Sequence, residues 1–165
     1  MKARELALGG LFTAFSLLIP LVFGPYLRIV AGPFSATLAS HVPLFLGALV
    51  SPMAAAMVGA ASALGFLITM GPLIAARAMS HIVVGLVAAL IIRNGQPFYL
   101  ALLAVLPIHA GLEALIVIPF GFNVYDWGVV VGIGTALHHL VDGALAAAVA
   151  RVLGLQRLST WASAN

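Results

Sequence analysis

The sequence predicts an all-α integral membrane protein, a bundle of six transmembrane helices with both termini on the cytoplasmic side. Three observations predict it. Of the 165 residues, 64% are hydrophobic and only 7% are charged, with a mean hydropathy of +1.22, which leaves too little polar surface for a soluble domain. Helix-breaking residues punctuate the chain at intervals close to the roughly 20 residues that one membrane crossing needs. The few basic residues outside the apolar stretches gather at one end of the implied helices. The whole chain reads as a single transmembrane domain, with no length left for a soluble catalytic appendage.

The breakers set the helices in order. The first covers about residues 4–23 and stops at Gly24-Pro25. A loop with Tyr26, Arg28 and Gly32-Pro33 leads to a second helix at about 34–50, and Ser51-Pro52 turns the chain into a third at about 53–69. Gly71-Pro72 opens a fourth at about 72–92, which ends at Arg93-Asn94-Gly95. The fifth spans about 97–118, residues 119–127 form the longest external connection, and the sixth spans about 128–153. The basic N-terminus before the first apolar run resembles a signal peptide but has no convincing cleavage site, so it reads as a retained helix.

With six crossings and an inside N-terminus, Lys2, Arg4, Arg93, Arg151 and Arg157 fall inside, and only Arg28, in the loops that also hold Asp126, falls outside. That asymmetry supports the even helix count. Tyr26, Tyr125 and Trp127 fall where an outer aromatic belt belongs. The pI near 10 rests on seven basic residues against four acidic ones, with no cluster of them, so no nucleic-acid footprint exists. No Cys is present, which excludes disulfides and thiolate chemistry.

Nearly every position in the spans is apolar, so the exceptions carry the information. They are His41, Arg77, His81, His109, Glu113, His138, His139 and Asp142. Ionisable groups in hydrocarbon are costly and face the bundle interior with a partner or a task. Arg77 and His81, His109 and Glu113, and His138 and Asp142 are each four residues apart, which puts each pair on one helix face. Counted at about 1.5 Å per residue from the outer ends, Arg77, His41 and Glu113 lie about 7–11 Å down. By the same rise, His81, His109 and His138 lie about 13–16 Å down and Asp142 about 20 Å. Groups from four helices converge on an outward-facing pocket. Arg77 is its one fixed positive charge, and guanidinium grips carboxylates through paired hydrogen bonds. The ligand this favours is small, anionic and aromatic or heterocyclic.

Two other readings compete. The i, i+4 pairs could satisfy one another and serve packing alone. The five His with Glu113 and Asp142 could instead hold a transition metal, as an intramembrane metal protein, a metalloenzyme or a metal-transport subunit. No HExxH motif is present, and Arg77 at the same depth opposes a cation, so no metal or other cofactor is assigned. His138 and His139 diverge by about 100° on a helix and cannot both face the pocket, which leaves His139 to packing or the interface.

Ala3, Ala7, Gly10 and Ala14 draw a stripe of small side chains along the first helix. Such a stripe lets another helix approach closely, either within this bundle or from a partner subunit. Helix 3 is rich in small residues as well, and there packing inside the bundle is expected.

Together with six helices, the short length and the basic N-terminus, Ala3-xxx-Ala7 and Gly10-xxx-Ala14 resemble the substrate-binding S-component of an energy-coupling factor vitamin transporter. The stretches Gly32-Pro33-Phe34-Ser35-Ala36-Thr37-Leu38-Ala39-Ser40-His41-Val42-Pro43 and Arg77-Ala78-Met79-Ser80-His81 are most similar to niacin-specific members. The resemblance implies a non-enzymatic subunit in a prokaryotic plasma membrane, one that captures a vitamin from outside. It works with a transmembrane coupling protein and two cytoplasmic ATPase subunits, docked through the first helix. The site it implies is built from helices 4 to 6, with the loop at 24–33 and the Met70-Gly71-Pro72 turn as lids. No Walker A loop is present, so ATP hydrolysis falls to the partners.

Overall fold

The computed structural model describes residues 3–155, so the basic residues Lys2 and Arg157 lie outside the described residues. Five helices are long and apolar enough to cross a membrane: α1 (Ala3–Leu27), α3 (Pro52–Met70), α4 (Pro72–Arg93), α5 (Phe98–Phe120) and α6 (Tyr125–Val152). Between α1 and α3 lie an antiparallel hairpin, β1 (Arg28–Ala31) and β2 (Phe34–Thr37), and a short helix, α2 (Val42–Val50).

The second expected helix is therefore corrected. Its first half is a strand and a turn, and its helical part is nine residues long. At 1.5 Å per residue that is about 13 Å, too short to cross a hydrocarbon core of about 30 Å. The hydropathy of residues 34–41 did not betray this, because a short apolar run reads alike as strand or helix. α2 is nonetheless the centre of the molecule. Its residues from Pro43 to Val50 are all buried, and it packs against α1, α3, α4 and α6.

The other differences are local. α1 runs past Gly24-Pro25 to Leu27, because a π-helical turn at Ile19–Phe23 widens the helix around Pro20. α6 begins at Tyr125, three residues early, in a π-helical stretch to Ile133. This shortens the expected outer connection and puts Tyr125 and Trp127 into the first helical turns. α3 opens at Ser51, whose Oγ accepts the Ala54 N–H at 3.2 Å, a cap for an otherwise unpaired donor.

α3 packs along α4 as its small residues require. A Cβ on Gly59 would sit 2.7 Å from the backbone nitrogen of Ile82, so only glycine allows this approach. Ala54, Ala55, Gly59, Ala61 and Ala63 are buried, and the packing role expected for helix 3 holds. The stripe on α1 is different. Ala3, Ala7, Gly10 and Ala14 are exposed, while Gly9, Phe12 and Ser16 face the bundle. Large apolar residues such as Ile68, Leu64 and Leu137 also point outward, as a lipid-facing surface demands.

Candidate functional site

The turn before α2 brings the chain into the middle of the bundle, and Asp142 of α6 holds it there. Asp142 Oδ1 accepts the Ala39 N–H at 2.8 Å and Oδ2 accepts the His41 N–H at 2.9 Å. Ala39 has a φ of 67°, a left-handed conformation that costs an alanine about 1–2 kcal/mol. The two hydrogen bonds to the buried Asp142 carboxylate offset it. His41 and Asp142 are thus in contact, although counting from helix ends separates them by about 10 Å at 1.5 Å per residue. The cause is β2: an extended strand descends about 3.3 Å per residue and takes His41 deeper than a helix would.

Glu113 of α5 is the hub. Its Oε2 accepts from Arg77 Nε at 3.2 Å, from Arg77 Nη2, and from Thr135 Oγ1 at 2.7 Å. Its Oε1 faces His109 Nε2 at 3.3 Å and His81 Nε2 at 3.5 Å. Arg77 Nη1 donates to the Pro33 carbonyl of the hairpin turn at 2.8 Å. The Arg77 guanidinium carbon also lies 5.4 Å from the centre of the Phe34 ring. All this is buried: Arg77 is 3% exposed and Asp142 0%.

The imidazoles form the other half. His41 Nε2 is 3.1 Å from His81 Nε2, and His81 Nδ1 is 3.1 Å from Ser62 Oγ. His138 Nε2 lies 3.2 Å from the Thr37 carbonyl and 3.1 Å from Asp142 Oδ2. His41 Nδ1 is 3.1 Å from the same Oδ2, close but without the alignment of a hydrogen bond.

A cavity of about 20 Å³ is lined by His41, Arg77, His81, Glu113 and His138, with Thr37 and Phe66 among the other walls. On this measure a water needs about 10–15 Å³, so the space holds one small molecule of solvent and no ring. Of the seven residues the sequence assigns to a site, these five line the cavity. His109 and Asp142 stand behind it, holding Glu113 and the His41 turn. The pairs His109–Glu113 and His138–Asp142 meet directly, whereas Arg77 and His81 meet through the two oxygens of Glu113.

Sequence reasoning missed three groups around these residues: the Pro33 carbonyl, Ser62 and Thr135 bind Arg77, His81 and Glu113 directly. His139 turns away from the cavity as expected, but it is fully buried rather than interfacial. Its Nδ1 is 2.9 Å from His109 Nδ1 and its Nε2 is 3.0 Å from the Leu102 carbonyl. The signal for Ser62 and Thr135 was a hydroxyl inside an apolar span, the same signal that marked the ionisable groups.

A multi-pass helical fold that gathers five histidines, Arg77, Glu113 and Asp142 inside the bundle beneath a hairpin defines a polytopic membrane protein with a buried polar centre. No family model and no solved structure matches the chain. The niacin transporter NiaX of Lactococcus lactis subsp. cremoris (strain MG1363) is 31% identical over 171 residues, covering 92% of this chain and 75% of the relative. The chain belongs to the niacin-type S-components of the energy-coupling factor transporters.

Proposed function

We propose that this protein captures nicotinate from the outer face of the cell membrane and hands it inward with a transmembrane coupling protein and two ATPase subunits. The observation that carries the reading is Arg77, the one buried guanidinium among the described residues, whose Nη1 is held by the hairpin carbonyl of Pro33 at 2.8 Å. A carboxylate can take that edge of the guanidinium in place of Pro33 while Nε and Nη2 stay on Glu113. The pyridine ring then lies against His81 and His138. A cavity of about 20 Å³ admits nicotinate only if β1–β2 lifts, so the hairpin is the lid. The relative's name, a niacin transporter, supports the same ligand.

The topology that fits is six crossings with both termini inside. β2 descends about 13 Å as a four-residue strand and α2 another 13 Å or so; together they approach the thickness of the hydrocarbon core and make the second crossing. Arg4, Arg93 and Arg151 then share the cytoplasmic face. The exposed stripe Ala3, Ala7, Gly10 and Ala14 is left for the coupling protein. The chain is a binding subunit and not an enzyme in this reading.

Calorimetric titration of the purified protein with nicotinate tests it. Saturable one-to-one binding is expected, together with a rise in unfolding temperature. No binding by folded protein would sink the proposal.

A further inference from the structure

Three imidazole nitrogens and one carboxylate oxygen converge beside the cavity: His41 Nε2, His81 Nε2, His109 Nε2 and Glu113 Oε1. Donor atoms of these four residues all lie within 4.8 Å of one another. Three edges of the group are 3.1 Å for His41–His81, 3.5 Å for His81–Glu113 and 3.3 Å for His109–Glu113. A tetrahedron with metal–ligand bonds of 2.0–2.1 Å has edges of about 3.3–3.4 Å. Three of the six edges lie within about 0.3 Å of that spacing, and the other three are no longer than 4.8 Å.

The hydrogen-bond network fixes what faces the centre. The Leu102 carbonyl can only accept, so His139 Nε2 carries a proton and donates to it at 3.0 Å. In a neutral imidazole, His139 Nδ1 is then an acceptor, and His109 Nδ1, 2.9 Å away, must be the donor. That leaves His109 Nε2 with a lone pair aimed at a carboxylate oxygen 3.3 Å away. Two acceptors facing each other in a buried site need a cation between them or an extra proton on His109.

Ligating histidines pair their remote nitrogen with a second group; here two of the three are hydrogen-bonded and the third lies 3.1 Å from a carboxylate. His41 Nδ1 lies beside Asp142, His81 Nδ1 beside Ser62, and His109 Nδ1 on His139. Arg77 does not oppose a cation here, because its charge is countered by Glu113 Oε2 while Oε1 points to the imidazoles.

We infer that His41, His81, His109 and Glu113 form a binding site for one divalent transition-metal ion of the zinc type, within the substrate chamber. With both carboxylates ionised, Arg77, Glu113 and Asp142 sum to one negative charge, which disfavours an anionic ligand. A divalent cation turns the sum positive. This last point rests on the proposed nicotinate capture; the metal site itself does not.

The test uses tag-free full-length protein in detergent, stripped with chelator and titrated with Zn²⁺ or Co²⁺. One equivalent is expected to bind, with the intense visible absorption of four-coordinate Co²⁺. Asp142→Asn, an outer-shell change, should weaken binding by about 10–100-fold and keep the spectrum. His109→Ala should abolish both. Folded wild-type protein that takes up no stoichiometric metal, with both His109 ring nitrogens protonated by ¹⁵N NMR, would overturn the inference. If that same protein binds nicotinate, the transport reading survives alone. Metal uptake without any nicotinate binding upholds the metal site and removes the transport reading.

Discussion

Asp142 and Ala39 are joined across 103 positions of sequence by a 2.8 Å hydrogen bond from the Ala39 amide to the Asp142 carboxylate. Through it, and through the neighbouring bond to His41, one side chain of α6 positions the turn that starts α2 and holds an alanine left-handed. The turn that joins the hairpin to the central helix and carries His41 into the imidazole cluster is held by this one carboxylate.

Asp142→Ala therefore removes two buried acceptors at once. Each unsatisfied amide costs about 1–3 kcal/mol, so a large fall in unfolding temperature is expected, measured by thermal unfolding in detergent. Ala39→Gly relieves the left-handed strain and should raise the temperature slightly. A drop for Ala39→Gly would contradict the assigned role of the turn.

Arg77 and Glu113 form a buried ion pair, in which loss of one partner strands the other at a cost of about 3–5 kcal/mol. Arg77→Ala is expected to abolish nicotinate binding and to destabilise the fold. The double variant Arg77→Met with Glu113→Gln should recover much of the stability and none of the binding. Calorimetry beside thermal unfolding separates the two effects, and full binding in the double variant would refute the role of Arg77.

Phe34 lies over the guanidinium and against α6, where a Cβ on Gly134 would meet its ring at 3.0 Å. A cation–π contact contributes about 0.5–2 kcal/mol, so Phe34→Leu should weaken nicotinate by about 2–30-fold. Gly134→Val should push the hairpin off its seat and speed ligand release, as followed by stopped-flow fluorescence.

The α1 stripe makes a different kind of prediction. Nothing lies within 4 Å of a Cβ placed on Gly10, so Gly10→Leu should leave folding and nicotinate binding by the isolated subunit unchanged. Uptake by cells that also carry the coupling protein and ATPases should fall sharply. Normal uptake would place the partner elsewhere.

Gly59 is the internal counterpart. Gly59→Leu drives a side chain into the α4 backbone and should cost at least the 1–3 kcal/mol typical of overpacking, read as lost yield of folded protein. The two substitutions distinguish a small residue kept for packing inside the bundle from one left open.

The sequence by itself determined the membrane class, the ends of α3, α4 and α5 to within a residue or two, and which ionisable side chains turn into the bundle. Those follow from local physics: breakers end helices, and ionisable groups in an apolar span must turn inward. The four-residue spacing also identified His109–Glu113 and His138–Asp142 as contacts, because neighbours on a helix face need no tertiary information.

Only the tertiary structure decided that residues 34–37 are a strand, that Glu113 divides its oxygens between Arg77 and the imidazoles, and that His139 Nδ1 meets His109 Nδ1. A uniformly apolar chain carries no periodicity to tell a buried strand from a buried helix. Which nitrogen faces which oxygen depends on the rotation and depth of each helix against its neighbours, and those are set by packing between elements far apart in the chain.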